Sequence, residues 1–429
     1  MRLALLTAGS RGDLQPILAL ALGLTRAGHR VRVVGHENFA SLADEYGIDF
    51  RAAPGDARAI VESEQGKETL RQKNPIRVWN QLTELALPIA RAYAEASLRA
   101  CDGVDAVGFS GLSTFFGLSV SERLGLPCFG ALYLPTCPTH DFPHPLLSTG
   151  PSWLPAFNRL SYPIADWVMW RAFRGLTNRL RTEIAGLPPY RRDGPLQQVW
   201  AAGVPVACGV SPSVLPRPAD WPTSHGLTGY WFLDEPPGWS PPTALEAFLA
   251  SGPPPVCVGF GSMSTREPQR DARVVVEALA RAGQRGIVLS GWARLHHGEL
   301  PPTVFAAESV PHAWLYPRCA AVVHHGGAGT TAAALRAGVP NVAVTFNFDQ
   351  PFWGKRIHAL GCGPPHIRHR ELSVDRLAAA ITAMNELEVR ERARSLGDRI
   401  RAEDGPTRAA RFLECALAGA RRPFFTAPT

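Results

Sequence analysis

Two doubly wound α/β domains in tandem, facing each other across a cleft, are what this sequence predicts, and three observations carry the prediction. The chain has 429 residues, beyond the roughly 250–300 at which a single core stops growing. In both halves short apolar runs alternate with amphipathic segments of helical length, the pattern of βαβ units around a parallel sheet. Between the halves, Asp234–Pro242 reads DEPPGWSPP, and its prolines can continue neither a helix nor a central strand. The domains are expected at residues 1–233 and 244–404, joined by a linker at 234–243. Residues 405–429 are expected to be a C-terminal helix and tail, free to pack back on the first domain.

In order, Arg2–Thr7 reads as a buried strand and Leu14–Ala27 as a helix entered through Asp13 and Pro16 and stopped at Gly28. Arg30–Val34 is the next strand, and Glu37–Tyr46 a helix ended by Gly47. Asp105–Phe109, a helix over Leu112–Leu124 and Pro127–Ala131 repeat the unit. Asn74–Ala100 and Trp153–Gly186 are long helical stretches, the second rich in aromatic residues and arginine. That composition suits core, an acceptor wall or a membrane-touching surface alike. Past the linker come strand Val256–Phe260, a helix near Asp271–Ala282, and strands Gly286–Leu289 and Ala321–His324. A helix over Thr330–Ala337, strand Val342–Phe346 and several further helices finish the chain.

Composition narrows the function. With 45% hydrophobic and 19% charged residues, the chain has the makeup of a soluble globular protein. Its net charge of +7 comes from scattered arginines, not from the basic stripe that nucleic acid requires. The eight cysteines show no metal-ligand spacing and read as reduced, buried residues. No stretch reaches the roughly 18 apolar residues of a membrane span, and the N-terminus lacks a signal core. A cytoplasmic protein is the expectation.

The chemistry concentrates in Ala320–Trp353, AAVVHHGGAGTTAAALRAGVPNVAVTFNFDQPFW. An apolar strand ends at His324–His325, Gly326, Gly327 and Gly329 form a turn with Ala328 between them, and Thr330 opens a helix. Glycines let backbone N–H groups approach an anion, and the helix start adds free donors and the positive dipole end. Gly327–Ala332 also fits the GxGxxA dinucleotide fingerprint, with Asp349 about 20 residues on. On that turn alone a nicotinamide-dependent oxidoreductase is the rival; a non-catalytic nucleotide-sugar-binding protein is another. Paired histidines before the turn and Gln350 directly after Asp349 favour a sugar over a ribose. A second glycine-containing strand-to-helix turn, Thr7–Pro16, sets Asp13 at a strand's carboxyl end as a general base or a helix cap. Gly261 and Ser262 can line a diphosphate from the far side, and Trp292 can stack on a pyrimidine.

In this order the motifs resemble the nucleotide-sugar glycosyltransferases of the UDP-glycosyltransferase superfamily. The bacterial natural-product (vancomycin-group) and sterol glucosyltransferase branches are the most similar. GSRGDLQP, AGHRVRVVGHENF, FGSM, VPHAWLYPRCAAVVHHGGAGTT and DQPFW carry the likeness along the whole chain. The resemblance implies a GT-B fold, two Rossmann-like domains with acceptor bound by the first and donor by the second. It puts Asp13 at the catalytic-base position and Ser10, Arg11 and Gly12 beside the donor. His325, Gly327, Ala328, Gly329 and Thr330 take the diphosphate, Asp349 and Gln350 the sugar hydroxyls, and Val310 with Pro311 the base. Ser309 replaces the tryptophan of plant relatives, leaving UDP and TDP both open. The implied reaction is inverting, metal-independent transfer of a hexose, glucose by expectation, to a lipophilic hydroxylated acceptor such as a sterol, polyketide or macrolide. Phe109, Leu134, Trp167 and Trp170 are the acceptor-wall candidates.

Overall fold

The computed structural model describes residues 1–56, 63, 65, 68–69, 75–148, 154–236, 238–261, 267–289, 300–308 and 310–418. Seven parallel strands make the first sheet: β1 Arg2–Ala8, β2 Arg30–His36, β3 Asp49–Ala53, β4 Ala106–Gly111, β5 Cys128–Leu132, β6 Val206–Cys208 and β7 His225–Leu227. Their order is β3-β2-β1-β4-β5-β6-β7. Its helices are α1 Arg11–Arg26, α2 Ala40–Asp44, α3 Pro75–Ala100, α4 Thr114–Leu124, α5 Pro155–Glu183 and α6 Pro195–Ala201. β1 shows why the sequence folds this way. Leu3 and Leu5 point into one core with Leu14 and Ile17 of α1, whereas Ala4 and Leu6 point into another with Tyr93 of α3 and Phe116 of α4. The unbroken apolar run Leu3–Leu6 marks a strand buried on both faces.

The second sheet has β8 Val256–Gly259, β9 Gly286–Leu289, β10 Val304–Ala307, β11 Ala321–His324, β12 Asn341–Thr345 and β13 Ile367–Arg368. They run parallel in the order β10-β9-β8-β11-β12-β13. Around them lie α7 Thr243–Ala250, α8 Pro268–Arg281, α9 His312–Leu315, α10 Ala328–Ala337, α11 Gln350–Ala359, α12 Val374–Ala383 and α13 Leu387–Arg401. The last helix, α14 Gly405–Ala418, returns to the first domain. Its Ala409, Ala410, Leu413 and Leu417 share a core with α1, and His29 Nε2 meets Glu414 Oε1 at 2.9 Å. Ser211 and Ser213 donate to Glu403 Oε1 at 2.7 and 2.9 Å, and Phe142 meets Phe352 at 5.8 Å between ring centroids, so the domains are joined at several points.

The long helices and eight of the thirteen strands among the described residues fall where the sequence placed them. β3, β6, β7, β10 and β13, of two to five residues, were not expected; strands this short give little period. The helix expected over Glu37–Tyr46 is a 3-10 turn, Glu37–Phe39, running into five α-helical residues. Seven cysteines are buried, but Cys415 is exposed. Among the described residues no helix is long and apolar enough to cross a membrane.

Candidate active site

On the first domain the chain leaves β1 through Gly9, whose φ of +136° favours glycine. A Cβ there would also stand 2.4 Å from the Asp13 carboxylate. Ser10 is the N-cap of α1, and Asp13 is the third residue inside the helix, not the cap that one reading of the sequence allowed. Asp13 Oδ2 accepts the Ser10 N–H at 2.5 Å and its hydroxyl at 2.7 Å, one arm of a capping box. Oδ1 accepts the Tyr133 hydroxyl, delivered by the residue just past β5. Burial, together with the Asp13 anion, raises Tyr133 well above the ordinary phenol range, so it remains a donor. A carboxylate offers about four acceptor positions, and these three bonds leave one on Oδ1 for an incoming proton. Arg11 and Gly12, in the same first turn, are exposed.

On the second domain the paired histidines divide their labour. His324 is fully buried; its Nδ1 accepts the Gly326 N–H at 3.0 Å and its Nε2 pairs with Asn341 Oδ1 at 3.1 Å. It pins the glycine turn to β12. Burial lowers it to about 3, so it stays neutral. His325 turns the other way. Burial lowers it to about 4, and its Nδ1 is buried with no hydrogen-bond partner, a costly state for so polar an atom. Gly327 is the N-cap of α10, and the helix starts at Ala328, two residues before the expected Thr330. The first intrahelical bond runs from Thr331 N–H to Gly327 O at 2.9 Å, so Ala328, Gly329 and Thr330 carry the N–H groups that precede it. A Cβ on Gly327 would stand 2.4 Å from His325 Nε2; glycine is needed for this approach. Gly261, just past β8, lies beside the same imidazole, where an added Cβ would stand 3.3 Å from His325 Cε1. The pairing of Gly259 with His324 brings the two turns together.

Asp349 and Gln350 follow β12. Trp353 Nε1 donates to Asp349 Oδ2 at 2.8 Å. Burial raises Asp349 to about 6, and the Asp13 charge adds to the rise, while bonds to Trp353 and the backbone N–H of Ala328 oppose it. Asp349 therefore faces both Asp13 and the start of α10. Gln350 is buried, its Oε1 accepting the N–H groups of Phe346 and Asn347 at 2.7 and 3.3 Å. This closes a loop in which Phe348, 68% exposed, holds a φ of +56°, a strain typical of working sites. Val310 is buried and Pro311 caps α9. Next to them His312 stacks on Tyr316 at 4.4 Å. Burial lowers His312 to about 4, and His325 and Arg11 push it further.

Three pairs of groups thus feel each other across the cleft: Asp13 with Asp349, Tyr133 with Asp349, and Arg11 with His312. Both constellations sit at the carboxyl ends of strands where strand order reverses, β1/β4 and β8/β11, the binding position of open α/β sheets. The glycine turn follows β11, the fourth strand of its sheet, whereas a dinucleotide fingerprint follows the first. That position here is held by Gly259-Phe260-Gly261 after β8, which disfavours the oxidoreductase reading.

Two expectations change. Phe109 is 1% exposed and packs in the core with Phe115 and Leu118, and Trp170 is buried against Tyr190, 5.9 Å between ring centroids; both are core, not acceptor wall. Trp167 is exposed on the solvent face of α5, and Leu134 is half-buried beside Tyr133. Ser262, Trp292, Ser309 and Trp153 lie outside the described residues. Sequence reasoning missed Tyr133, His312, Asn341 and Trp353. Only Trp353 had a readable signal, four residues after Asp349 on a helix.

Comparison with known proteins agrees with this geometry. Residues 3–143 match the glycosyltransferase family 28 N-terminal domain, and residues 274–415 the erythromycin biosynthesis protein CIII-like C-terminal domain. An O-mycaminosyltylonolide 6-deoxyallosyltransferase of Streptomyces fradiae is 37% identical over 96% of this chain and 97% of its own. A sterol 3-beta-glucosyltransferase of Arabidopsis thaliana is 35% identical over 99% of this chain, which spans 65% of that relative's length. The calicheamicin glycosyltransferase CalG4 superposes with a TM-score of 0.68 at 20% identity, covering 98% of this chain and 99% of its own. The spinosyn rhamnosyltransferase SpnG in complex with thymidine diphosphate gives 0.61 at 18% identity, covering 96% and 100%.

Proposed function

The chain belongs to the glycosyltransferase family whose domains and relatives it matches, and from that membership we propose that it moves a hexose from a UDP- or TDP-sugar to a hydroxyl of a lipophilic acceptor, with inversion. The observation that carries this reading is the opposition of Asp13 to His325, Asp349 and the start of α10 across the cleft. The names of the relatives, sterol and macrolide glycosyltransferases, support a bulky, largely apolar acceptor. Structural neighbours with bound thymidine diphosphate support a nucleoside diphosphate at the glycine turn.

In the proposed reaction Asp13 Oδ1 takes the acceptor's hydroxyl proton while that oxygen attacks the anomeric carbon. The bond from this carbon to the diphosphate breaks, and its electron pair leaves on the phosphate oxygen. Ser10 and Tyr133 hold the carboxylate in line, so its orientation is set before the substrate arrives. A positioned base contributes about 10²–10⁴-fold. The N–H groups of Ala328–Thr330 and a neutral His325, donating from the nitrogen that lacks a partner, receive the leaving charge. Asp349 and Gln350 are the sugar-hydroxyl contacts in this scheme, Gln350 through its amide after a shift of the Phe346–Asn347 loop. These donors supply the stabilisation that a divalent ion gives elsewhere, so full activity in excess chelator is expected. The test is a screen of UDP- and TDP-sugars against sterol, macrolide and polyketide alcohols, read by mass spectrometry. An acceptor-plus-hexose product supports the reading; donor binding with no transfer to any acceptor class would reduce the chain to a nucleotide-sugar-binding protein.

A further inference from the structure

Helix α5 has a face that nothing in the described structure covers. Tyr162, Ala165, Trp170 and Leu180 turn inward. On the opposite side Leu160, Ile164, Trp167 and Val168 are 57%, 43%, 59% and 49% exposed, at the spacing that puts residues on one helical face. Among the described residues ten large apolar side chains are exposed, and five of them, these four and Leu154, fall within fifteen consecutive positions. Single exposed apolar residues need no explanation, but a contiguous patch does. The face is also cationic. Arg159, Arg171 and Arg174 are exposed on α5, and none makes an ion pair with a described residue. Between Leu154 and Thr182 the one acid is Asp166, which is buried and accepts the Trp200 indole N–H at 3.2 Å.

We propose that this face of α5 docks on an anionic lipid bilayer. A helix flank is a convex ridge, which suits the yielding surface of a membrane. Apolar residues with an indole at the boundary, flanked by arginines without counter-charge, match an interfacial helix that inserts its apolar side among anionic headgroups. The helix lies on the membrane and does not span it. The helix is tied to the cleft through its other side: Tyr162, facing inward, packs on His144 at 5.3 Å, and Phe142 just before His144 meets Phe352 of the second domain. Docking would set the seam between the domains close to the lipid, where a lipophilic acceptor partitions. The surface lies outside the catalytic constellation, so the proposal stands apart from the transferase reading.

The experiment is co-sedimentation of the full chain with vesicles of phosphatidylcholine alone and of phosphatidylcholine with one third phosphatidylglycerol. Binding to the anionic vesicles, weak binding to the neutral ones and release by salt are expected. The double variant Ile164→Ser, Trp167→Ser should lower the partition roughly tenfold or more, and Arg171→Gln or Arg174→Gln roughly fivefold each. Unchanged melting temperatures will show that these variants remain folded. Failure of the wild-type chain to bind either vesicle would overturn the proposal, as would equal binding by the double variant. A wild-type dimer in sedimentation analysis that the double variant dissolves would also overturn it, assigning the face to a second copy.

Discussion

Asp13 and His325 stand at corresponding reversals in two sheets that share a strand order, yet their surroundings differ in kind. Asp13 is satisfied by its own domain, with Ser10 on one oxygen and Tyr133 on the other. His325 is left with an unpartnered buried nitrogen beside a helix start whose first donors precede any helical bond. In the proposed reaction one side of the cleft holds a base still, and the other is completed by the anion of the donor. Under the proposed function the difference assigns orientation of the base to the first domain and binding of the donor to the second.

Substitutions that separate the two sides test this division. The largest effect belongs to Asp13→Asn, which keeps the capping geometry but removes the base. Turnover should fall about 10²–10⁴-fold with donor affinity nearly unchanged, and a variant that still turns over at the wild-type rate would leave Asp13 only an arm of the capping box. Tyr133→Phe comes next. Losing one bond to a charged carboxylate should cost roughly tenfold in kcat and leave the KM for donor alone; a loss confined to KM would put Tyr133 on the donor side instead. Trp353→Phe, which removes the indole donor to Asp349, should weaken sugar donors about fivefold while leaving the free nucleoside diphosphate unaffected. Equal losses for both ligands would move Asp349 away from the sugar.

The smallest effect concerns acid. His144, His225, His312 and His325 are lowered to about 4 and His324 to about 3, all chiefly by burial. Below about 6.5 the unfolded chain takes up protons that the folded one refuses, so stability present above that pH is lost as it falls toward 4. Asp166 and Asp349, raised to about 7 and 6, act in the opposite sense, but they are two against five. Melting temperatures should therefore drop between pH 7 and 5. His325→Gln should flatten that slope by about one proton, and an identical slope would show that His325 is not held neutral by the fold.

The same contrast explains what could be read from the amino-acid order. The second domain's site was legible because it is contiguous: strand, histidines, glycines and helix follow within a dozen residues, and the Asp349–Gln350 pair comes one strand later. Asp13 was legible for the same reason. Its partner Tyr133 was not, because 120 residues separate them and only the pairing of β1, β4 and β5 brings them together. The division between His324 and His325 was hidden as well, since adjacent residues on a strand point to opposite sides and only the placement of Asn341 shows which side is closed. Phe109 and Trp170 were misjudged because aromatic residues near strand ends and on long helices serve cores and pockets equally well. Burial decides between these, and burial is a property of packing.

Calorimetric titration of UDP and TDP into the wild-type chain, His325→Ala and Asp13→Asn tests the division of labour most directly. The account predicts that at least one of the two nucleotides binds the wild-type chain, that His325→Ala weakens it roughly tenfold or more, and that Asp13→Asn binds within about twofold of wild type. Undiminished binding by His325→Ala, or a loss in Asp13→Asn as large as that in His325→Ala, would contradict it.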